Sequence, residues 1–333
     1  MRPTPRRGFA FVVPALLAAS LLFLPVTRVH AAAPGTATDV AAPATQPSFL
    51  RFIDNGRAGG RLETAVARYR NKDGVTVDLV AAVHIGEKAY YQNLDDSFEG
   101  YDAVLYELVK PKDVDIPKPG YKSENPISQF QHLLKDQLNL DFQLDDIDYS
   151  RANFVHADMT KEEFEKLQGE RGESMESLLL QQIMKALSAP PPTPEQQEAQ
   201  SKDTEDEIHE IIGALTRPDA ERQIKLVLAK QFGEIEKNSA DFGLGNTVIL
   251  TERNKHCVQV LKETLKDKSK KKLAIFYGAA HMPGISDSLA EMGFKPVSTE
   301  WKTAWDLTIR ADQPSAAEKI LDFVFDALDD KGN

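Results

Sequence analysis

The chain has 333 residues, 41% of them hydrophobic, and a net charge of -11. It is long enough to bury a full hydrophobic core, and its acidic balance argues against nucleic acid as a partner, because an acidic surface repels phosphate. Cys257 is the only cysteine, which excludes an intramolecular disulfide and zinc sites built from several thiolates.

The first 31 residues have the pattern of a secretory signal peptide. Three arginines precede an apolar run from Phe9 to Val26, and small residues at cleavage spacing surround Ala31. An uncleaved membrane anchor is the alternative, since the run is long enough to span a bilayer, but two prolines interrupt it. Cleavage after Ala31 removes four of the 40 basic residues and no acidic one, so the net charge becomes -15. We therefore expect a secreted or periplasmic protein with no stable transmembrane anchor after cleavage.

A β-hairpin is predicted where ordered structure begins. Residues 32–48 are rich in Ala, Pro and Thr and predict a disordered leader, so the single predicted domain covers residues 49–333. Residues 61–70 and 75–85 are two runs rich in apolar and β-branched residues, separated by the turn sequence Asn71–Gly74. The second run is almost wholly apolar, as expected of a central strand covered on both faces.

A strand–helix–strand pattern then occurs twice. Residues 87–98 have helical periodicity, Gly100 ends the helix, and residues 101–109 form a second apolar strand. Near the C-terminus the same order recurs in residues 271–280, 283–293 and 294–301. Two such units imply parallel strands joined by right-handed crossovers. The predicted fold class is α/β, with a central, largely parallel sheet from two βαβ repeats plus an N-terminal hairpin, and with a long α-helical insertion.

The predicted insertion covers residues 110–243. Thr160 and Glu163 fit a capping box at the start of a helix within it. Residues 188–207 are too polar and proline-rich to bury much apolar surface, which predicts a flexible loop. Asp158 lies just before the cap; local capping explains it, and the alternative is an outer contact to a site at the strand ends.

Two histidines and a glutamate follow predicted parallel strands. His84 and His281 each come after an apolar strand and small residues, and Glu107 lies near the end of a neighbouring strand. The carboxyl ends of parallel strands meet at one edge of a sheet, so these side chains are candidates for one site. Two imidazoles and a carboxylate with an open position suit a divalent metal (Mn, Co or Zn) that activates water. The alternatives are purely structural hydrogen bonds by the histidines, and an Arg253–Glu107 ion pair without any metal.

These motifs together resemble the TraB/PrgY and Tiki family, which is related to the erythromycin-esterase-like and ChaN-like folds. The family pattern is a GxxH after the first strand, a Glu on the next, an Arg-Asn pair in a helix, and a second GxxH. The matching segments are AAVH (His84), YELV (Glu107), TERN (Arg253 and Asn254) and GAAH (His281). The resemblance covers about residues 60–110 and 245–307.

The resemblance implies a secreted or membrane-associated metal-dependent hydrolase, and Tiki members are peptidases that clip an N-terminus. It implies that the two histidines and the glutamate are metal ligands or catalytic bases, and that Arg253 and Asn254 hold substrate or a developing oxyanion. The expected function is therefore hydrolysis of a peptide or a small acyl substrate. The rival interpretation is a non-catalytic ligand- or partner-binding protein on the same fold, which is favoured by Ala81, where the family has Gly.

Overall fold

A seven-stranded mixed sheet forms the centre of the protein. The computed structural model describes residues 48–112, 138, 140–173, 220–237 and 247–308. The strands in these ranges are β1 (Leu50–Asp54), β2 (Gly60–Arg70), β3 (Thr76–Ala82), β4 (Ile85–Gly86), β5 (Ala103–Tyr106), β6 (Asp141–Phe142), β7 (Phe154–His156), β8 (Lys272–Gly278) and β9 (Lys295–Asp306). β4 and β6 form a separate two-stranded sheet, and the other strands form the large one.

Helices and helical turns connect or cover these strands. They are α1 (Lys88–Phe98), α2 (Gln143–Asp146), α3 (Lys161–Arg171), α4 (Ala220–Lys237), α5 (Arg253–Thr264), α6 (Met282–Glu291), the 3₁₀ turns Gly56–Ala58 and Ala279–His281, and the π-helical turn Val248–Glu252. α4 packs on β1 and β2, α5 on β5, and α6 on β3 and α5. No helix in the described ranges combines the length and apolarity needed to cross a bilayer.

The predicted hairpin is confirmed. β2 and β3 are antiparallel, with Val66 opposite Val80. In the turn, Asn71 donates its N–H to the carbonyl of Val75, and Gly74 has a φ of 76°. A positive φ is readily adopted by glycine, which explains the Asp-Gly pair at this position.

Four parallel strands follow from this hairpin. β3, β8, β5 and β7 lie side by side in this order, and each pairs in parallel with the next. Leu79 and Leu105 flank Ile275 in register, and all three side chains are fully buried. Strands buried in this way are largely apolar, and the charged exception in β3, the buried Asp78, is paired with Arg68 of β2. The predicted α/β class with parallel central strands is therefore confirmed.

The two strand–helix–strand units have different topologies. In the first unit α1 connects β3 to β5, and one strand, β8, lies between them. In the second unit α6 connects β8 to β9, and both β3 and β2 lie between these strands. β9 pairs with β2 in antiparallel register, on the edge opposite β1 and β3. The order of strands in space thus differs from a simple duplication.

The segment predicted as a helical insertion also contributes to the main sheet. β7 pairs with β5, with Tyr106 opposite His156. Residues 154–156 are therefore strand, and a run of three residues is too short to show a period of two in the sequence. The predicted signal peptide at 1–31, the leader up to residue 47 and the loop at 188–207 lie outside the described residues.

Candidate functional site

Polar side chains gather at the carboxyl edge of the four parallel strands. Gly278, the last residue of β8, lies opposite Ala82 at the end of β3. Glu107 directly follows β5, and its N–H donates to the carbonyl of Phe276 at 3.1 Å. The sheet register therefore brings the residues that follow separate strands to one place, as the parallel arrangement predicts.

The Glu107 carboxylate binds two donors. Its Oε2 accepts the Gly278 N–H at 2.6 Å, and its Oε1 accepts from Nη2 of Arg253 at 2.6 Å. The side chain is only 8% exposed. Burial by itself would raise the pKa of Glu107, but the attraction of a protonated His281 ring and of the Arg253 guanidinium outweighs burial and holds that pKa well below its usual range. Glu107 is therefore an anion at neutral pH.

Arg253 lies between two carboxylates. Besides Glu107 it binds Asp158, through Nε to Oδ1 at 2.9 Å and Nη2 to Oδ2 at 2.5 Å. The Asp158 side chain is completely buried and also accepts the Met159 N–H at 2.8 Å. Burial lowers the pKa of Arg253, but the two carboxylates raise it above its ordinary value, so the guanidinium stays charged. The trio carries two negative charges and one positive charge.

Asn254 fixes the orientation of the His281 ring. The amide Nδ2 of Asn254 donates to the carbonyl of His281 at 3.2 Å, so its Oδ1 faces Nδ1 of the ring at 2.7 Å. An amide oxygen accepts, so this arrangement assigns the ring proton to Nδ1. Nε2 of His281 then faces the interior of the site, 3.4 Å from Oε1 of Glu107 and 3.3 Å from Nη1 of Arg253.

Gly278 and Gly284 leave the space that these contacts need. A methyl group built on Gly278 would lie 3.3 Å from Oε2 of Glu107, 3.7 Å from Nε2 of His84 and 3.9 Å from Cδ2 of His281. The three predicted ligands therefore all lie within 4 Å of the position that this methyl group would take. A methyl group on Gly284 would lie 2.7 Å from Nδ2 of Asn254, which is too close for that amide to keep its place.

A π-helical turn precedes the arginine. Residues Val248–Glu252 form this turn, and α5 begins at Arg253 with Asn254 as its second residue. π-Helical turns are rare, are frequent at functional sites, and rotate the residues that follow them relative to a regular helix. Here the turn comes immediately before the two residues that contact Glu107 and His281.

The structure brings all five residues predicted from the sequence to one place: His84, Glu107, Arg253, Asn254 and His281. His84 is exposed, whereas the other four are at least partly buried. For Asp158 the sequence interpretation favoured local capping and kept an outer contact to the site as the alternative, and the structure shows Asp158 bound to Arg253. The capping box is formed by Thr160 and Glu163, so Asp158 is available to bind Arg253. The signal that could have revealed Asp158 was an acid two residues after a short Phe-Val-His strand at the same sheet edge.

The donor set fits a divalent metal in two respects and requires movement in two others. Two ligand atoms, each about 2.1 Å from a tetrahedral ion, lie about 3.4 Å apart, which matches the separation of His281 Nε2 and Glu107 Oε1. A histidine that binds a metal through one ring nitrogen usually donates the N–H of the other to an acceptor, as His281 Nδ1 does to Asn254. As arranged, however, no three His, Cys, Asp or Glu side chains in the described ranges converge closely enough to hold an ion. The three side chains would have to move closer together, and Arg253 would have to leave Glu107.

Comparisons with known proteins add no family to these observations: no protein-family model, no curated protein and no solved structure matches this chain. The resemblance to the TraB/PrgY and Tiki family therefore rests on the motifs and stays a prediction.

Proposed function

We propose that this protein is a secreted hydrolase that uses a divalent metal, Mn, Co or Zn, to cleave a peptide or a related acyl bond. His84, Glu107 and His281 would hold the metal. The observation that carries the proposal is the pair formed by His281 Nε2 and Glu107 Oε1, 3.4 Å apart, with the ring orientation fixed by Asn254. A buried carboxylate and an oriented imidazole at the edge of a parallel sheet form a preorganised pair of ligands.

The residues of the cluster have distinct roles in this proposal. When bound, the metal supplies a Lewis acid that lowers the pKa of water towards neutrality. Asn254 keeps the proton of His281 on Nδ1, so that Nε2 presents its lone pair to the site. Gly278 positions Glu107 through its N–H. Asp158 positions Arg253, whose N–H groups stabilise the negative charge that develops on the substrate oxygen.

The family resemblance suggests the substrate class and the signal peptide suggests the compartment. Because Tiki members clip an N-terminus, we assign a peptide as the first substrate to test and a small acyl ester as the second. The predicted signal peptide supports a reaction outside the cytoplasm.

One observation favours a second candidate, a non-catalytic protein that binds a ligand or a partner. Arg253 already neutralises Glu107 through a 2.6 Å contact, so the buried carboxylate needs no metal ion to be tolerated. In that case the cluster would serve to hold β5, β7, β8 and α5 together.

The test is elemental analysis of the purified protein together with a matched set of variants. We expect one divalent ion per wild-type chain, and its loss in His281→Ala and in the double variant His84→Ala/His281→Ala. His256→Ala changes a histidine that lies on α5 but makes none of the contacts of the cluster, so it should retain the metal. Hydrolysis of a peptide library should be lost in the same two variants as the metal.

Two outcomes distinguish the candidates. An unchanged metal content in the double variant would rule out the proposed ligands. If the wild-type protein contains no metal, and its melting temperature after EDTA treatment does not rise when Mn, Co or Zn is added, the binding protein becomes the better interpretation. Stabilisation by a metal is expected because a ligand that binds only the folded state raises its stability.

A further inference from the structure

The long strand β9 forms one edge of the main sheet. Among the strands described above it pairs only with β2, and register shifts near its two ends leave residues 298–303 as one regular stretch. The carbonyl of Ala304 accepts the Glu87 N–H at 2.9 Å, which covers the C-terminal end of the strand, whereas residues 295–300 are exposed. An edge strand of this kind presents backbone N–H and C=O groups with which another strand can pair.

The sequence of this edge is complementary to itself when two copies run antiparallel. Residues 299–303 read Thr-Glu-Trp-Lys-Thr. A twofold axis through Trp301 would place Trp301 opposite the partner's Trp301, Glu300 opposite the partner's Lys302, and Thr299 opposite the partner's Thr303. Aromatic pairs, opposite charges and pairs of threonines are the cross-strand combinations that stabilise antiparallel sheets.

We propose that residues 299–303 of β9 are a self-association surface whose partner is a second copy of this chain. The two main sheets would then continue into one sheet across the twofold axis. This inference goes beyond the proposed function, because it concerns a different part of the molecule and requires no metal.

The charges on this edge suit a second copy. The side chain of Glu300 is 67% exposed, and its Oε1 lies 2.6 Å from Nζ of Lys302, which lies on the same face of the strand. Two copies would bring two glutamates and two lysines together in alternating order, with a net charge of zero. The contact would therefore add no repulsion to that between two acidic chains.

Charged residues on an edge strand usually prevent pairing, but here their order selects one register. With Trp301 at the centre, both charges of each copy meet an opposite charge. A shift of two residues in either direction would place Glu300 opposite the partner's Glu300, or Lys302 opposite the partner's Lys302. Like charges directly opposite each other are destabilising, so the shifted registers are disfavoured.

Trp301 is already held in position by a neighbouring side chain. The guanidinium carbon of Arg51 lies 3.9 Å from the centre of the indole ring, and Trp301 is half-buried. An immobilised side chain loses little further freedom when it is paired. Five paired residues on each copy nevertheless bury less than the about 1,200–2,000 Å² of a stable interface, so we expect a weak dimer that forms as the concentration rises.

The experiment is sedimentation velocity of the purified full-length protein from about 10 µM to about 1 mM, after circular dichroism has shown that all variants are folded. The wild type should convert from monomer to dimer over this range. Glu300→Lys and Lys302→Glu each place like charges opposite each other at two positions, so each variant alone should self-associate about tenfold more weakly. Glu170→Lys is the matched control, because Glu170 is an exposed acid on α3 that lies 3.8 Å from Lys166. It has the same change in net charge and should dimerise as the wild type does.

Restoring the opposite charges distinguishes pairing at this edge from a general loss of stability. An equimolar mixture of Glu300→Lys and Lys302→Glu should form mixed dimers as readily as the wild type dimerises, because every charge again faces an opposite one. The double variant Glu300→Lys/Lys302→Glu should dimerise by itself for the same reason.

Three results would overturn the proposal: a wild type that stays monomeric over the whole range, single variants that dimerise as readily as the wild type, and a mixture that stays monomeric. A monomeric wild type would mean that this edge stays unpaired or is covered by another part of the same chain. None of these results bears on the metal content of the protein, so this proposal and the proposed function fail independently.

Discussion

The substitution Asp158→Asn is the most direct test of how the buried cluster contributes to stability. The side chain of Asp158 is 0% exposed and that of Arg253 is 11% exposed, so their interaction is shielded from water. Breaking a buried ion pair by removing one partner costs about 3–5 kcal/mol. Glu107 still neutralises Arg253 in this variant, which favours the lower end of that range. At present Oδ2 of Asp158 accepts from Nη2 of Arg253 at 2.5 Å. In the variant, the NH₂ group of the asparagine would take the place of Oδ2, so that two donors would face each other.

We therefore expect the free energy of unfolding to fall by about 3 kcal/mol. The measurement is urea denaturation followed by circular dichroism, with EDTA present so that no metal contributes. Asp96→Asn is the matched control, because Asp96 is an exposed acid on α1 and its replacement should change stability by less than about 0.5 kcal/mol. A loss of less than about 1 kcal/mol for Asp158→Asn would show that the ion pair does not hold the cluster together as argued.

Three further predictions address the surroundings of the site. Gly278→Ala should destabilise the protein by about 1–3 kcal/mol, because the added methyl group would lie 3.3 Å from Oε2 of Glu107. Gly169→Ala, on the open face of α3, should stabilise the protein by about 0.5–1 kcal/mol, and equal effects of the two substitutions in urea denaturation would contradict the crowding argument. Thr160→Ala removes the capping box of α3 and should cost about 1 kcal/mol in the same assay, so an unchanged midpoint would mean that this cap contributes nothing. Burial raises the pKa of the Cys257 thiol, so a thiol reagent at pH 8 should leave the native protein unmodified and should modify the urea-unfolded chain fully. Rapid reaction of the native protein would show that the thiol is accessible to solvent.

The sequence was sufficient to locate most of the site because its residues follow strands that are easy to recognise. β3 and β8 are largely apolar strands followed closely by a histidine, and β5 is an apolar strand followed directly by a glutamate. A charged residue after a buried strand stands out against its neighbours. The rule that parallel strands share a carboxyl edge then brings them together without knowledge of the strand order.

The strand order itself and the role of Asp158 depend on contacts between distant segments. Nothing local in β8 shows that it inserts between β3 and β5, because any buried strand of similar length would satisfy the same pattern. β7 has only three residues, so neither its period nor its place beside β5 is visible in the sequence. Without β7, Asp158 was interpreted as a residue in a loop before a helix cap, and no local pattern identifies Arg253, 95 positions away, as its partner.

The cluster joins the fold and the site into one physical unit. Glu107 follows β5, Gly278 ends β8, Asp158 follows β7 and Arg253 begins α5, so one chain of contacts from Gly278 through Glu107 and Arg253 to Asp158 connects four elements. The hydroxyl of Tyr277 donates to the carbonyl of Ala157 at 2.6 Å and connects β8 to the same loop. Any change that separates these elements therefore also separates the groups that we propose as metal ligands. Conversely, a ligand that pulls Glu107 away from Arg253 has to leave the arginine with Asp158, since without that second carboxylate the guanidinium would be a buried charge with no partner.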